Sequence, residues 1–232
     1  MPGFETLMTI LIVVFVAGSI AASFVLTTRF NRKKVEKAKA LAEALGLEFT
    51  DGKAAPDALP GEDGVDRTRV LRGKSSSLAR IIMAKAGGFR VHGEYAGAGV
   101  AIWLETRSNG KSSSTWTLVR AYLAGPLRFS LRMSREGAMT KLGKALFGLK
   151  DLELGDDAFD PKVRVKTDDP VQAKLVLDHE ARRAVLALLE AYPEAHVKSD
   201  AATWERVGLH LDPEKLRPLL EALAKVAATL GR

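Results

Sequence analysis

The chain has no cysteine among its 232 residues. That excludes a disulfide framework, a thiolate metal site, a cysteine nucleophile and a lipidated N-terminal cysteine. Met1–Thr6 carries no Lys or Arg, so the cationic start of a cleaved signal peptide is missing. No side chain from Leu7 to Leu26 is ionisable, which leaves a helix there nothing with which to relay ions or protons. H-E-x-x-H, G-x-x-x-x-G-K-[ST], G-x-S-x-G and the EF-hand loop are all absent. Gly97-x-Gly99 is followed by Ile102 where a dinucleotide fingerprint needs Gly or Ala, and it enters a strand-like run rather than a helix. Ser75–Ser77 and Ser112–Ser114 read as loop composition with no base beside them. His92, His179, His196 and His210 are scattered, no two at ligand spacing.

What is present begins with that uncharged run. Twenty residues, Leu7–Leu26, at about 1.5 Å each match the roughly 30 Å of bilayer hydrocarbon. Arg29, Arg32, Lys33, Lys34, Lys37 and Lys39 follow at once. The positive-inside rule therefore puts the short N-terminus outside and the remaining mass in the cytoplasm, a single-pass protein of the inner membrane. Gly18 and Ala22 form a small-xxx-small pair that would let two such helices approach as a homodimer. The formal charge is +7, and most of the excess sits in residues 29–39, where six cations face only Glu36. That makes the basicity a membrane-proximal collar rather than a nucleic-acid surface. Each such cation near an anionic leaflet adds about 1 kcal/mol of attraction.

The organisation expected is an anchor at 1–28, a basic juxtamembrane helix at 29–46, a linker or loop at 47–66, and an α+β domain at 67–232, as one unit or as lobes 67–150 and 151–232. Val35, Ala38, Leu41, Ala42 and Leu45 recur at helical spacing before Gly46. Arg67–Arg72 reads as a short strand and Leu78–Ala86 as a short helix. Strand alternation dominates Phe89–Met133, with a hairpin connection at Ser108–Ser114 and a half-buried strand over Leu127–Met133. Glu136–Leu146 reads as a helix, Leu152–Leu154 and Val163–Val165 as strands. Asp169-Pro170, Asp178 and Asp212-Pro213 are helix starts, and His196–Lys198 with Trp204–Leu211 is a hairpin. The fold class is α+β: an N-terminal transmembrane helix, then mostly antiparallel strands with packed helices and a C-terminal amphipathic helix. Strands closed by a terminal helix are compatible with a pleckstrin-homology-like arrangement.

Two constellations could carry chemistry. Asp156, Asp157 and Asp160, with Glu153, are oxygen ligands of the kind Mg²⁺ or Ca²⁺ takes, although acidic residues beside Gly155 and Pro161 are ordinary turn formers. Arg128, Arg132, Lys141, Lys144, Lys162, Arg164 and Lys166 are a candidate patch for an anionic partner, set against a plain solvated surface. The residues Gly155-Asp156, Phe159-Asp160, Val163-Arg164-Val165-Lys166 and Asp168-Asp169-Pro170 resemble those of bacterial membrane-anchored proteins that carry a domain of unknown function. The resemblance covers about a quarter of the chain and implies no activity. Together these features favour a membrane-anchored binding or scaffold module over an enzyme. Its partners would be the bilayer and a protein or anionic lipid, with no nucleic acid and no cofactor. The alternatives are a tethered metal-dependent hydrolase or transferase using loop 153–160, and an accessory subunit of a membrane complex.

Overall fold

The computed structural model describes residues 31–51, 89–108, 110, 112–137 and 150–232. The apolar run Leu7–Leu26, with Gly18, Ala22 and Arg29, lies outside them, as do Arg67–Arg72, Leu78–Ala86, Lys141 and Lys144. Among the described residues no helix is long and apolar enough to cross a membrane.

Residues 31–45 form α1. Its apolar stripe is fully used: Ala38, Leu41, Ala42 and Leu45 are buried in the main core. Gly46 ends it with φ +67°. The Gly46 amide donates to Glu43 at 3.2 Å and the Leu47 amide to Ala42 at 2.8 Å, the paired bonds of a Schellman cap, which a residue without Cβ adopts cheaply. The Arg217 guanidinium donates to the Ala44 carbonyl at 3.1 Å, and the Lys39 ammonium sits 5.4 Å from the Phe49 ring centre.

The chain then runs straight into β1 (Glu48–Asp51), where a linker was expected. The strands that follow are β2 (Phe89–Tyr95), β3 (Ala98–Ser108), β4 (Ser113–Tyr122), β5 (Leu131–Arg135), β6 (Lys150–Leu152) and β7 (Val163–Thr167). After α2 (Pro170–Val176) and α3 (His179–Ala191) come β8 (Ala195–Lys198), β9 (Ala201–Val207) and α4 (Pro213–Leu230). Asp169 caps α2 by accepting from Val171 and Gln172, Asp178 caps α3 through Ala181, and Asp212 caps α4 through Glu214. These are the three Asp starts read from the sequence.

Among the described residues nine strands join one antiparallel sheet in the order β1-β2-β3-β4-β9-β8-β5-β7-β6. Among the described residues β1 and β6 are the edges and do not pair with each other, unlike the closed strands of a pleckstrin-homology-like arrangement. Strands from either side of residue 150 alternate within it, so residues 67–150 and 151–232 contribute to the same sheet. One face packs on the helices. Val100, Ile102, Val119, Ala121, Ala202, Trp204, Val197 and Met133 meet α3 and α4 there, and α4 buries Leu216, Leu219, Leu220, Leu223, Val226 and Leu230. The other face carries no helix among the described residues.

Three further strands differ from the sequence reading. β9 runs Ala201–Val207 rather than Trp204–Leu211, because Gly208 turns the chain with φ +107° and its carbonyl accepts from the Thr117 hydroxyl at 2.7 Å. β5 begins at Leu131, not Leu127, because the Leu127 amide is taken by the Ser199 carbonyl at 2.8 Å. Arg128 thus lies ahead of the strand, exposed, and takes no place in the alternation that carries Arg132. β6 ends at Leu152, because the amides of Leu154, Gly155 and Asp156 all turn to the Asp160 carboxylate.

Candidate functional site

Strand alternation sends Arg120 and Tyr122 of β4, Thr203 and Glu205 of β9, His196 and Lys198 of β8, and Arg132 and Ser134 of β5 to the helix-free face. Register brings them side by side. Ser134 pairs with His196, His196 with Thr203, and Thr203 with Arg120; one step along, Arg132 pairs with Lys198. A small apolar footing of Ala101, Tyr122 and Ala201, with Trp103 against it, adjoins Arg120. The Arg120 guanidinium lies 5.4 Å from the Trp103 ring centre and 5.8 Å from that of Tyr122. Two aromatic neighbours fix a planar cation in a way they would not fix an ammonium.

The cluster is buried and cationic at once. Ser134, His196 and Thr203 are each less than a tenth exposed. Burial, then the nearby cations Lys198, Arg132, Arg120 and Arg107, depress the His196 imidazole to about 3. Glu205 stands 3.7 Å from His196 and would favour the opposite shift, but it is already engaged by Arg107, and burial with four cations prevails. Lys198 is likewise lowered, first by burial and then by Arg132 and Arg120. Among the described residues three carboxylates, Glu105, Glu205 and Asp200, pair with this group of cations, and two of them go to Arg107. Glu205 holds Arg107, which also donates to Glu105 at 3.1 Å and stacks on Trp116. Asp200 reaches Arg120 only at 4.0 Å. No carboxylate of the described residues lies within ion-pair distance of Arg132 or Lys198.

The basic patch expected from the sequence is only partly assembled. Arg132, Arg164 and Lys166 do share this face, since Arg132 pairs with Lys166 and Ser134 with Arg164. Arg164 and Lys166 are answered by Asp151 at 2.8 and 3.5 Å, and the hydrogen bond from Arg164 holds the Asp151 carboxyl below its usual range. Lys162 turns away to Glu190 on α3 at 2.7 Å. Arg120, Lys198, Arg107 and His196 were missed as a group. The one signal was Arg120 inside the apolar run Leu118-Val119-Arg120-Ala121-Tyr122, where a plain surface strand would carry several polar residues.

The acidic loop is built as a turn. The Asp160 carboxylate accepts from the amides of Leu154, Gly155 and Asp156 at 2.8–3.1 Å. Asp156 accepts from Ala158 and Phe159 and pairs with Arg182 at 2.9 Å. Phe159 is thereby driven into the core, 1% exposed. Among the described residues no group of three His, Cys, Asp or Glu is placed to hold a metal. Replacing Asp160 by Ala is expected to lower stability by about 1–3 kcal/mol, the range for losing hydrogen bonds to a charged acceptor from the part-buried amides of Leu154 and Asp156. The loss should be the same with Mg²⁺ or EDTA present. A metal-dependent difference in the thermal midpoint would restore the ligand reading.

Two of the remaining histidines serve local structure, and His179 opens α3. His92 bonds Thr50 at 2.8 Å, and His210 reaches the Val207 carbonyl at 2.9 Å and meets the Trp204 ring edge-on. A concavity of about 820 Å³ lies between α1, the end of α3 and the start of α4, lined in part by Leu41, Tyr192, Trp204 and Leu219. Its rim charges stand close to one another, Arg206 to Glu194 and Lys215 to Asp212, each at 3.8 Å.

No protein-family model matches the chain, and no curated protein matches it. Among solved structures it is similar to the crystal structure of the mycobacterial trehalose monomycolate transport factor A, TtfA, at 12% identity and a TM-score of 0.47, over 86% of this chain and 95% of that one.

Proposed function

We propose that this chain is a single-pass inner-membrane binding module whose α+β domain stands on the cytoplasmic leaflet and recognises a protein or anionic lipid partner. The observation that carries the reading is the docking of α1. Its buried side, Ala38, Leu41, Ala42 and Leu45, belongs to the domain core, and its first described residue, Asn31, follows the end of the apolar run Leu26 by only five positions. Five extended steps reach at most about 18 Å. A domain joined this closely to a span is held near the headgroups rather than on a loose tether. Arg32, Lys33, Lys37 and Lys39 remain exposed on the same helix, where they would add attraction to anionic lipid. Tethering also raises the effective concentration of any binding face towards a membrane partner.

The full chain is expected to stay in the membrane fraction through an alkaline carbonate wash. Deletion of residues 1–28 should convert it to peripheral binding that about 0.5 M salt removes, since the screening length is then only a few ångströms. An unrelated single-span anchor should restore retention. Release of the full chain by carbonate would overturn the anchored reading. Cross-linking and affinity purification of the full chain from native membranes then identifies the partner. A stoichiometric membrane protein would make this chain an accessory subunit of that complex.

A further inference from the structure

We propose that the helix-free face of the sheet around Arg120, Arg132 and Lys198 is a binding site for a phosphate-type oxyanion. The inference rests on the binding-module reading and supplies its ligand chemistry. The face gathers Arg107, Arg120, Arg132 and Lys198; among the described residues Glu105 and Glu205 are both taken by Arg107, and Asp200 reaches Arg120 only at 4.0 Å. The Nε atoms of Arg120 and Arg132 and the Oγ of Ser134 are buried without a hydrogen-bond partner among the described residues. Desolvated cations and donors left unanswered cost stability. A protein that keeps several of them on one face has an acceptor to gain from elsewhere.

The geometry selects the kind of acceptor. Ser134, His196, Thr203 and Arg120 stand in one row across four adjacent strands, each strand about 4.8 Å from the next. Arg132 and Lys198 flank that row one step along. The row sets the buried hydroxyls of Ser134 and Thr203 among the half-buried cations Arg120, Arg132 and Lys198, a donor set that suits a small tetrahedral group with several acceptor oxygens. Guanidinium groups meet phosphate oxygens in pairs, and Arg120 is already fixed by Trp103 and Tyr122. An acidic peptide would instead spread its charges along the sheet, where Asp151 already answers Arg164 and Lys166.

A free phosphate compound and a phospholipid headgroup share this chemistry, and the test separates them. Trp103 beside Arg120 serves as the reporter. The full chain in nonionic detergent is titrated with inorganic phosphate, with pyrophosphate, and with dihexanoyl phosphatidate, at constant ionic strength set by chloride. A saturable change in tryptophan emission is expected. Saturation by phosphate or pyrophosphate assigns a free ligand. Saturation by the phosphatidate, with inorganic phosphate at least a hundredfold weaker, assigns a headgroup. Arg132→Gln and Lys198→Gln should each weaken binding at least tenfold, while Arg128→Gln, outside the face, should leave it unchanged. In phosphate-free buffer Arg132→Gln should unfold at the same temperature as the parent or higher, because it removes an unanswered cation. If Arg120→Gln loses its fold along with its ring contacts, Lys198→Gln decides. No response to any probe, or parental affinity in both Arg132→Gln and Lys198→Gln, overturns the site. Neither result touches membrane retention, so the anchored reading stands or falls separately.

Discussion

Acidification from pH 7 to pH 4 is expected to remove about 3 kcal/mol of stability through one residue, His196. Its imidazole stays neutral in the folded protein down to about 3, because burial and then Lys198, Arg132, Arg120 and Arg107 disfavour the proton. In the unfolded chain it takes up a proton near the ordinary value of 6.5. The unfolded state therefore binds more protons at every pH between these values, and stability falls as pH falls. The contribution is complete above about pH 6.5, declines at roughly 1.4 kcal/mol per pH unit below it, and levels off near pH 3. Carboxylates titrate in the lower part of the same window, so the residue is isolated by difference. Urea unfolding of the parent and of His196→Gln, followed by tryptophan emission from pH 8 to pH 4, should show the variant's midpoint moving far less between pH 6.5 and pH 5. Parallel profiles would mean that His196 meets the proton as readily folded as unfolded. A bound oxyanion beside the ring would raise its folded value, so an anion that saturates the proposed site should shrink the acid loss as well.

His196 also marks the limit of what the sequence discloses. Local chemistry was legible. Asp169-Pro170, Asp178 and Asp212-Pro213 start helices because an Asp side chain caps free amides and Pro needs none. The β3–β4 hairpin closes from Ser108 to Ser113 where the turn residues stand. Gly46 ends α1 because the cap needs a positive φ. None of these requires knowledge of a distant partner. The sheet order does. β9 and β8 insert between β4 and β5, so Arg120 meets Thr203, and Arg132 meets Lys198, across 83 and 66 residues of chain. Periodicity assigns a face to each of these residues but cannot say that the faces meet. The same blindness misplaced the start of β5, decided by the Ser199 carbonyl, and the end of β6, decided by Asp160.

The largest mechanical effect is expected at Leu41, where α1 is fastened to the rest of the core. Leu41 is 0% exposed and packs in the same core as Ala38, Leu45, Leu216 and Leu219. Truncation to Ala removes its packing and leaves a cavity, for about 2–5 kcal/mol. The loss falls on docking of α1, whose other buried side chains are the small Ala38 and Ala42 and, at its end, Leu45. Trypsin reads this directly, because Arg32, Lys33, Lys34, Lys37 and Lys39 all lie on α1 and cleavage within a helix requires local opening. When opening and closing are fast, the cleavage rate follows the open population. A loss of 2 kcal/mol or more then accelerates cleavage between residues 32 and 40 by roughly thirtyfold or more, since 1.4 kcal/mol is a factor of ten. Leu41→Met, which conserves volume, should cost less than about 1.5 kcal/mol and stay near the parental rate. The measurement is the rate at which the domain is released from detergent-solubilised full chain. An unchanged rate in Leu41→Ala would mean that α1 is held by something other than this contact. A strongly raised one would make Leu41 the contact that holds α1 on the core.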